Sequence, residues 1–128
     1  MSIENGFNAE LFFSALADKT RLRLLNLLRD GEVCVCFFAE TLGTNNPKIS
    51  RHLAYLRRAS LVTGRRDGKW IHYRITEPTD PAAKKVFAAT MKMLETDKAM
   101  IKDRKKLVKV CCEPSTPVKI QRRVKTVE

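Results

Sequence analysis

Six residues, "LGTNNP" at 42–47, constrain this fold more than any other stretch. Leu42-Gly43 reads as a helix stop, because glycine takes the left-handed conformation that closes a last turn. Asn46 reads as an N-cap and Pro47 as the first helical residue, where a missing N–H costs nothing. A stop and a start this close leave only a tight turn of about four residues between two short helices. On the upstream side, "EVCVCFFAETLG" (32–43) predicts a helix over 34–42. On the downstream side, "KISRHLAYLRRAS" continues from Pro47. Its Ile49, Leu53 and Leu56 face inward at helical spacing, and Lys48, Arg51, Tyr55 and Arg58 face out. The pair is a helix-turn-helix.

The next segment, "LVTGRRDGKWIHYRI", alternates apolar and polar residues around Asp67-Gly68, the preferred two-residue hairpin turn. Its tip carries Arg65, Arg66 and Lys69. A helix-turn-helix followed at once by a basic hairpin is a winged helix, mainly α with a small β-hairpin. Ahead of it, 8–17 reads as a helix. Asp18 caps a second one, in which Leu22, Leu25 and Leu28 recur before Gly31 stops it. After the break "EPTDP", residues 82–110 contain no Gly or Pro, which predicts one long helix or two stacked ones. A single helix of 29 residues would run about 43 Å. Val86, Phe87, Thr90, Met91 and Leu94 form one apolar stripe, read as the surface of a homodimer built through terminal helices. The expected organisation is a winged domain with its dimerisation helix over 1–95. A basic helix end and a mobile tail follow over 96–128, carrying Cys111 and Cys112.

Lys and Arg number 25 against 14 Asp and Glu, a formal charge of +11. That excess predicts an anionic partner, with double-stranded DNA first and an anionic membrane surface second. From Lys98 to Glu128 there are ten basic and three acidic residues, so much of the charge lies beyond the winged core. "MSIENGFNAE" has neither a basic nor an apolar region and is not a signal peptide, and no stretch approaches the ~20 apolar residues of a membrane span. The expected location is the cytoplasm, where four cysteines are thiols rather than disulfides. A Gly-rich cofactor loop, a C-x-x-C pair and a positioned base are all lacking, which argues against an enzyme.

Four motifs in order, "FFSALADKTRLRLLNLL", "EVCVCFFAETLG", "SRHLAYLRRASLV" and "RRDGKWIHYRI", closely resemble the ArsR/SmtB family of metal-sensing winged-helix repressors over roughly residues 7–76. The resemblance implies a dimeric repressor that leaves its operator when a soft metal or metalloid binds. It makes Cys34 and Cys36 a metal-binding box. The sequence departs from the family pattern in three places. Ala39 stands where the arsenic-sensing box often has a third cysteine, Phe37-Phe38 replace the acid after the box, and Ser60 replaces a glycine. The zinc-sensing Asp and His on the last helix are absent; the two histidines, His52 and His72, lie upstream.

A trivalent arsenic or antimony centre takes three thiolates, so Cys111 or Cys112 is expected to supply the one that Ala39 lacks. The pair reaches the partner chain's box if 82–110 is one straight helix, and the box of its own chain if the helix breaks near Thr96-Asp97. Lys105, Lys106 and Lys109 nearby favour the thiolate form. All four cysteines would also suit a tetrahedral divalent ion, so a cadmium, lead or zinc sensor stays open, as does a disulfide-based redox sensor. No cofactor is required beyond the inducer, arsenite or antimonite. For DNA, Lys48, Ser50, Arg51 and His52 sit where base edges are met, while Arg57 and Arg58 suit phosphate. Arg65, Arg66 and Lys69 suit phosphate or the minor groove. Binding at the box is expected to unwind the first turn of helix 34–42 and so misalign residues 47–59.

Overall fold

Short polar side chains set where most of the helices begin. The computed structural model describes residues 6–111. Asn8, Asp18, Asn45 and Asp80 each take extended backbone and accept from the N–H three residues on, at 2.9–3.0 Å. They start α1 (Ala9–Leu16), α2 (Lys19–Leu27), α4 (Asn46–Arg58) and α5 (Pro81–Glu95). The cap of the helix after the turn is therefore Asn45 and not Asn46. Pro47 sits one place further into the first turn, where its missing N–H is equally harmless.

Between α2 and α4 the expected helix over 34–42 is not formed as such. Val33–Cys34 is a strand, β1; Val35–Phe37 is a 3-10 turn; only Phe38–Leu42 is α-helical, as α3. Val33 and Cys34 pair antiparallel with Tyr73 and His72 of β3 (Trp70–Ile75), which also pairs with β2 (Val62–Asp67), giving a sheet of order β1-β3-β2. Cross-strand bonding takes these backbone groups away from a helix. The hairpin loop is Gly68-Lys69 rather than Asp67-Gly68, because Asp67 pairs with Trp70. Gly68 takes φ 64° at the first loop position, the place a II′ turn reserves for glycine.

The 82–110 region is two helices. α5 ends at Glu95, and Asp97 caps α6 (Lys98–Cys111) by accepting from the Met100 N–H at 3.1 Å. The break is clamped from below. Asn26 donates to the Met100 carbonyl, Arg104 donates to Asn26 at 2.6 Å and to the Glu95 carbonyl, and Arg29 donates to the Met91 carbonyl. Bidentate Arg23–Asp103 contacts at 2.7 and 3.0 Å pin α6 to α2. α6 folds back on α2, α3 and the 3-10 turn of its own chain. The division drawn at 95 coincides with the end of α5, but Leu107, Val110 and Cys111 belong to the same core as Phe12, Leu25, Phe38, Ile49 and Leu53. Cys112 and the tail lie outside the described residues.

The stripe on α5 also splits. Phe87 and Leu94 are buried, and Met91 packs on the core. The exposed apolar face is made instead by Val86 and Met93 of α5 with Phe13 of α1, at 36, 64 and 54 % exposure. The apolar side of α5 thus serves its own domain first.

Candidate thiol site and nucleic-acid interface

Two cysteines at i and i+2 lie about 200° apart on a regular helix. Here Cys34 ends β1 and Cys36 lies in the 3-10 turn, and the chain's change of direction brings their sulfurs to 3.1 Å. The pair is therefore already convergent, and no helical turn has to unwind to make it so. Cys34 is buried and Cys36 exposed. The Cys36 thiol donates to the Cys34 sulfur. That lowers the Cys34 pKa to about 7, against burial and the Asp67 charge, which both push it up. The same contact and burial push Cys36 well above the ordinary thiol range. The first proton leaves this pair easily and the second with difficulty. Near neutral pH one thiolate is available, and the thiolate is the form that binds soft ions.

The strand register gives Cys34 a histidine neighbour. His72 lies opposite Cys34 on one side and opposite Arg65 on the other. Residues opposite in a ladder share a face. His72 is 1 % exposed, with Nε2 3.8 Å from Asp67 Oδ2. Glu32, just ahead of β1, accepts from Arg65 at 2.6 and 3.0 Å. Reading 34–42 as all helix concealed the pairing of Cys34 with His72; the β-branched Val33 and Val35 flanking Cys34 were the available strand signal.

The second cysteine pair is described only at Cys111, which is buried and donates to the Val108 carbonyl at 3.3 Å. Among the described residues no three His, Cys, Asp or Glu side chains are grouped to hold a metal ion.

On α4, Lys48, Ser50, Arg51, Arg57 and Arg58 are exposed. Tyr55, expected to face out, is half-buried under two guanidiniums, Arg21 at 4.1 Å and Arg58 at 4.8 Å from the ring centroid. Arg21 also donates to the Ala15 and Ser14 carbonyls, tying the end of α1 to α4. His52 is half-buried, its Nδ1 3.3 Å from Arg21 and 3.6 Å from Asp18, so one edge of the ring is held against α2. On the hairpin Arg66 and Lys69 are exposed, whereas the Arg65 guanidinium is turned to Glu32, which raises its pKa.

Residues 18–63 match the family model described as "Bacterial regulatory protein, arsR family". The chain is 51% identical over 71 residues to the arsenical resistance operon repressor of Escherichia coli K12, covering 55% of this chain and 60% of that protein. Among solved structures it is similar to the AntR antimony-specific transcriptional repressor (33% identity, TM-score 0.52, covering 67% of this chain and 76% of that one). It is also similar to the homodimeric winged helix-turn-helix DNA-binding domain Mb0332 of Mycobacterium bovis (31% identity, TM-score 0.55, covering 67% and 77%). The chain spans between about half and three-fifths of the length of the first curated relatives it matches. No helix among the described residues is long and apolar enough to cross a membrane.

Proposed function

Because the chain belongs to the ArsR family of bacterial regulatory proteins, we propose that it is a homodimeric repressor of a metalloid-resistance operon, released from its operator when trivalent arsenic or antimony is captured by cysteine thiolates. The observation that carries this reading is the 3.1 Å approach of the Cys34 and Cys36 sulfurs at the junction of the sheet and the helix-turn-helix. Soft ions held at metal–sulfur distances of about 2.3 Å bring their sulfurs to within 3–4 Å of one another. The relatives' names support the inducer class: one is an arsenical resistance operon repressor and another an antimony-specific repressor.

In this reading Lys48, Ser50, Arg51 and His52 meet base edges, and Arg57, Arg58, Arg66 and Lys69 meet phosphate. Arg65 reaches DNA only when it leaves Glu32. The dimer forms through the face of Phe13, Val86 and Met93. Inducer capture acts in two directions from one point. Cys36 leads through the 3-10 turn into α3 and the recognition helix, and Cys34 leads through His72 into the hairpin. Each thiol that replaces a hydroxide on arsenite releases one water. A third thiolate comes from Cys111 or Cys112, and from the same chain, since α6 folds back onto the turn that holds Cys36.

Arsenic X-ray absorption on the loaded full chain tests the ligand set. Three sulfur neighbours are expected in the wild type and two in Cys111→Ser/Cys112→Ser. Three sulfurs retained in the double mutant would remove that pair from the site. Tight zinc or cadmium binding with four sulfurs, and no arsenic binding, would favour the divalent reading.

A further inference from the structure

α2, α3 and α6 enclose a cleft of about 340 Å³ that neither the thiol pair nor the recognition helix uses. It is lined by Lys19 and Arg23 of α2, Gly43 after α3, and Lys102, Asp103 and Lys106 of α6. Lys19, Lys102 and Lys106 are exposed. Asp103, the one carboxylate of the lining, is held by Arg23 in a two-bond fork and so does not gather the lysines. The result is a concave surface with three lysine ammonium groups around it and its own acid already neutralised.

The position of the cleft identifies its partner. Thr41, Leu42 and Gly43 of its wall are the end of the first helix of the helix-turn-helix and the start of its turn. Gly43 is three residues from Asn46, so it lies within ~10 Å along the chain of the first residue of the recognition helix. In helix-turn-helix complexes the recognition helix presents its N-terminal residues to base edges while the first helix crosses the DNA backbone. A major groove about 12 Å wide is walled by phosphates on both sides. We infer that Lys19, Lys102 and Lys106 form an additional phosphate-binding cleft that grips the DNA backbone beside the recognition helix. This rests on the DNA-binding reading above and extends it to α2 and α6, outside the helix-turn-helix and the hairpin.

The ligand is the phosphodiester itself, so the cleft adds affinity to every duplex and no sequence preference. α6 reaches the cleft only because the chain breaks at Thr96–Asp97; as one straight helix with α5 it would carry Lys102 and Lys106 away from Gly43.

The test is the salt dependence of duplex binding by the full chain, between about 50 and 200 mM salt. Lys19→Gln/Lys102→Gln/Lys106→Gln is compared with a charge-matched control on α5, Lys84→Gln/Lys85→Gln/Lys92→Gln. Each phosphate that the protein no longer neutralises lowers the log–log slope by about 0.9. The cleft variant is expected to lose nearly three units of slope per protomer, equally on operator and random duplex, with the control near wild type. An unchanged slope in the cleft variant overturns the inference while the wild type still binds. So does an equal fall in the α5 control, which would mean bulk charge alone. A wild type that binds no duplex overturns the DNA reading as well.

Discussion

At the scale of single residues, the distinctive chemistry is one proton shared between two sulfurs. Cys36 holds its proton and points it at Cys34, which lowers the Cys34 pKa to about 7. Burial and Asp67 work the other way. Removing the thiol donor therefore takes away the largest lowering influence and leaves burial and Asp67 opposed only by the Cys36 backbone N–H. In a Cys111→Ser/Cys112→Ser background, thiolate ultraviolet absorbance should show one group titrating near pH 7. Adding Cys36→Ala should move that midpoint upward, toward the ordinary thiol value of about 8.5. A midpoint that stays put would mean that Cys36 does not set it. Both cysteines were legible in the sequence, because thiols are rare and their spacing is conspicuous. Glu32, Asp67 and His72 were not. Each is common in loops and strands, and only the folded sheet sets His72 opposite Cys34, brings the Asp67 charge to bear on it and bonds Glu32 to Arg65.

At the scale of elements, caps and turn residues carried most of the legibility. Asp18 caps α2, and Gly43 ends α3 with φ 67°, both as their residue types predict. The stretch misread because tertiary pairing fixes it was β1, whereas the two helices of 82–110 were one of the two readings open for that segment. Ser60 shows how such an end can be strained. It takes φ 63°, donates to the Arg57 carbonyl at 3.0 Å, and is followed by a Leu61 N–H bonded to Leu56. That is a Schellman closure of α4 with serine in the left-handed position. A side chain there costs about 1–2 kcal/mol, of which glycine's greater unfolded-state freedom returns a part. Ser60→Gly should stabilise the domain by about 1 kcal/mol and raise Tm by several degrees. Calorimetry checks this, and a lower Tm would show that the serine side chain contributes more than its backbone costs.

For the whole molecule, the helix-turn-helix, the hairpin and the basic balance were all readable, because each has a local signature. The proposed dimer face was only half readable. An apolar stripe does not say whether it serves its own core or a second copy, and on α5 Phe87 and Leu94 serve the core while Val86 and Met93 remain outside. The central claim concerns coupling between the thiol pair and the DNA-binding surface. An ion on Cys34 and Cys36 displaces DNA only to the extent that it prefers the form that binds DNA poorly. A coupling of about 1–3 kcal/mol weakens DNA binding by about 5–150-fold. The most direct measurement is the fluorescence anisotropy of a labelled operator duplex, titrated with arsenite, for the wild type and for Cys34→Ser/Cys36→Ser. The account predicts equal DNA affinity for both proteins without arsenite, and release from the wild type alone. Release of the double mutant at the wild-type arsenite concentration would contradict it.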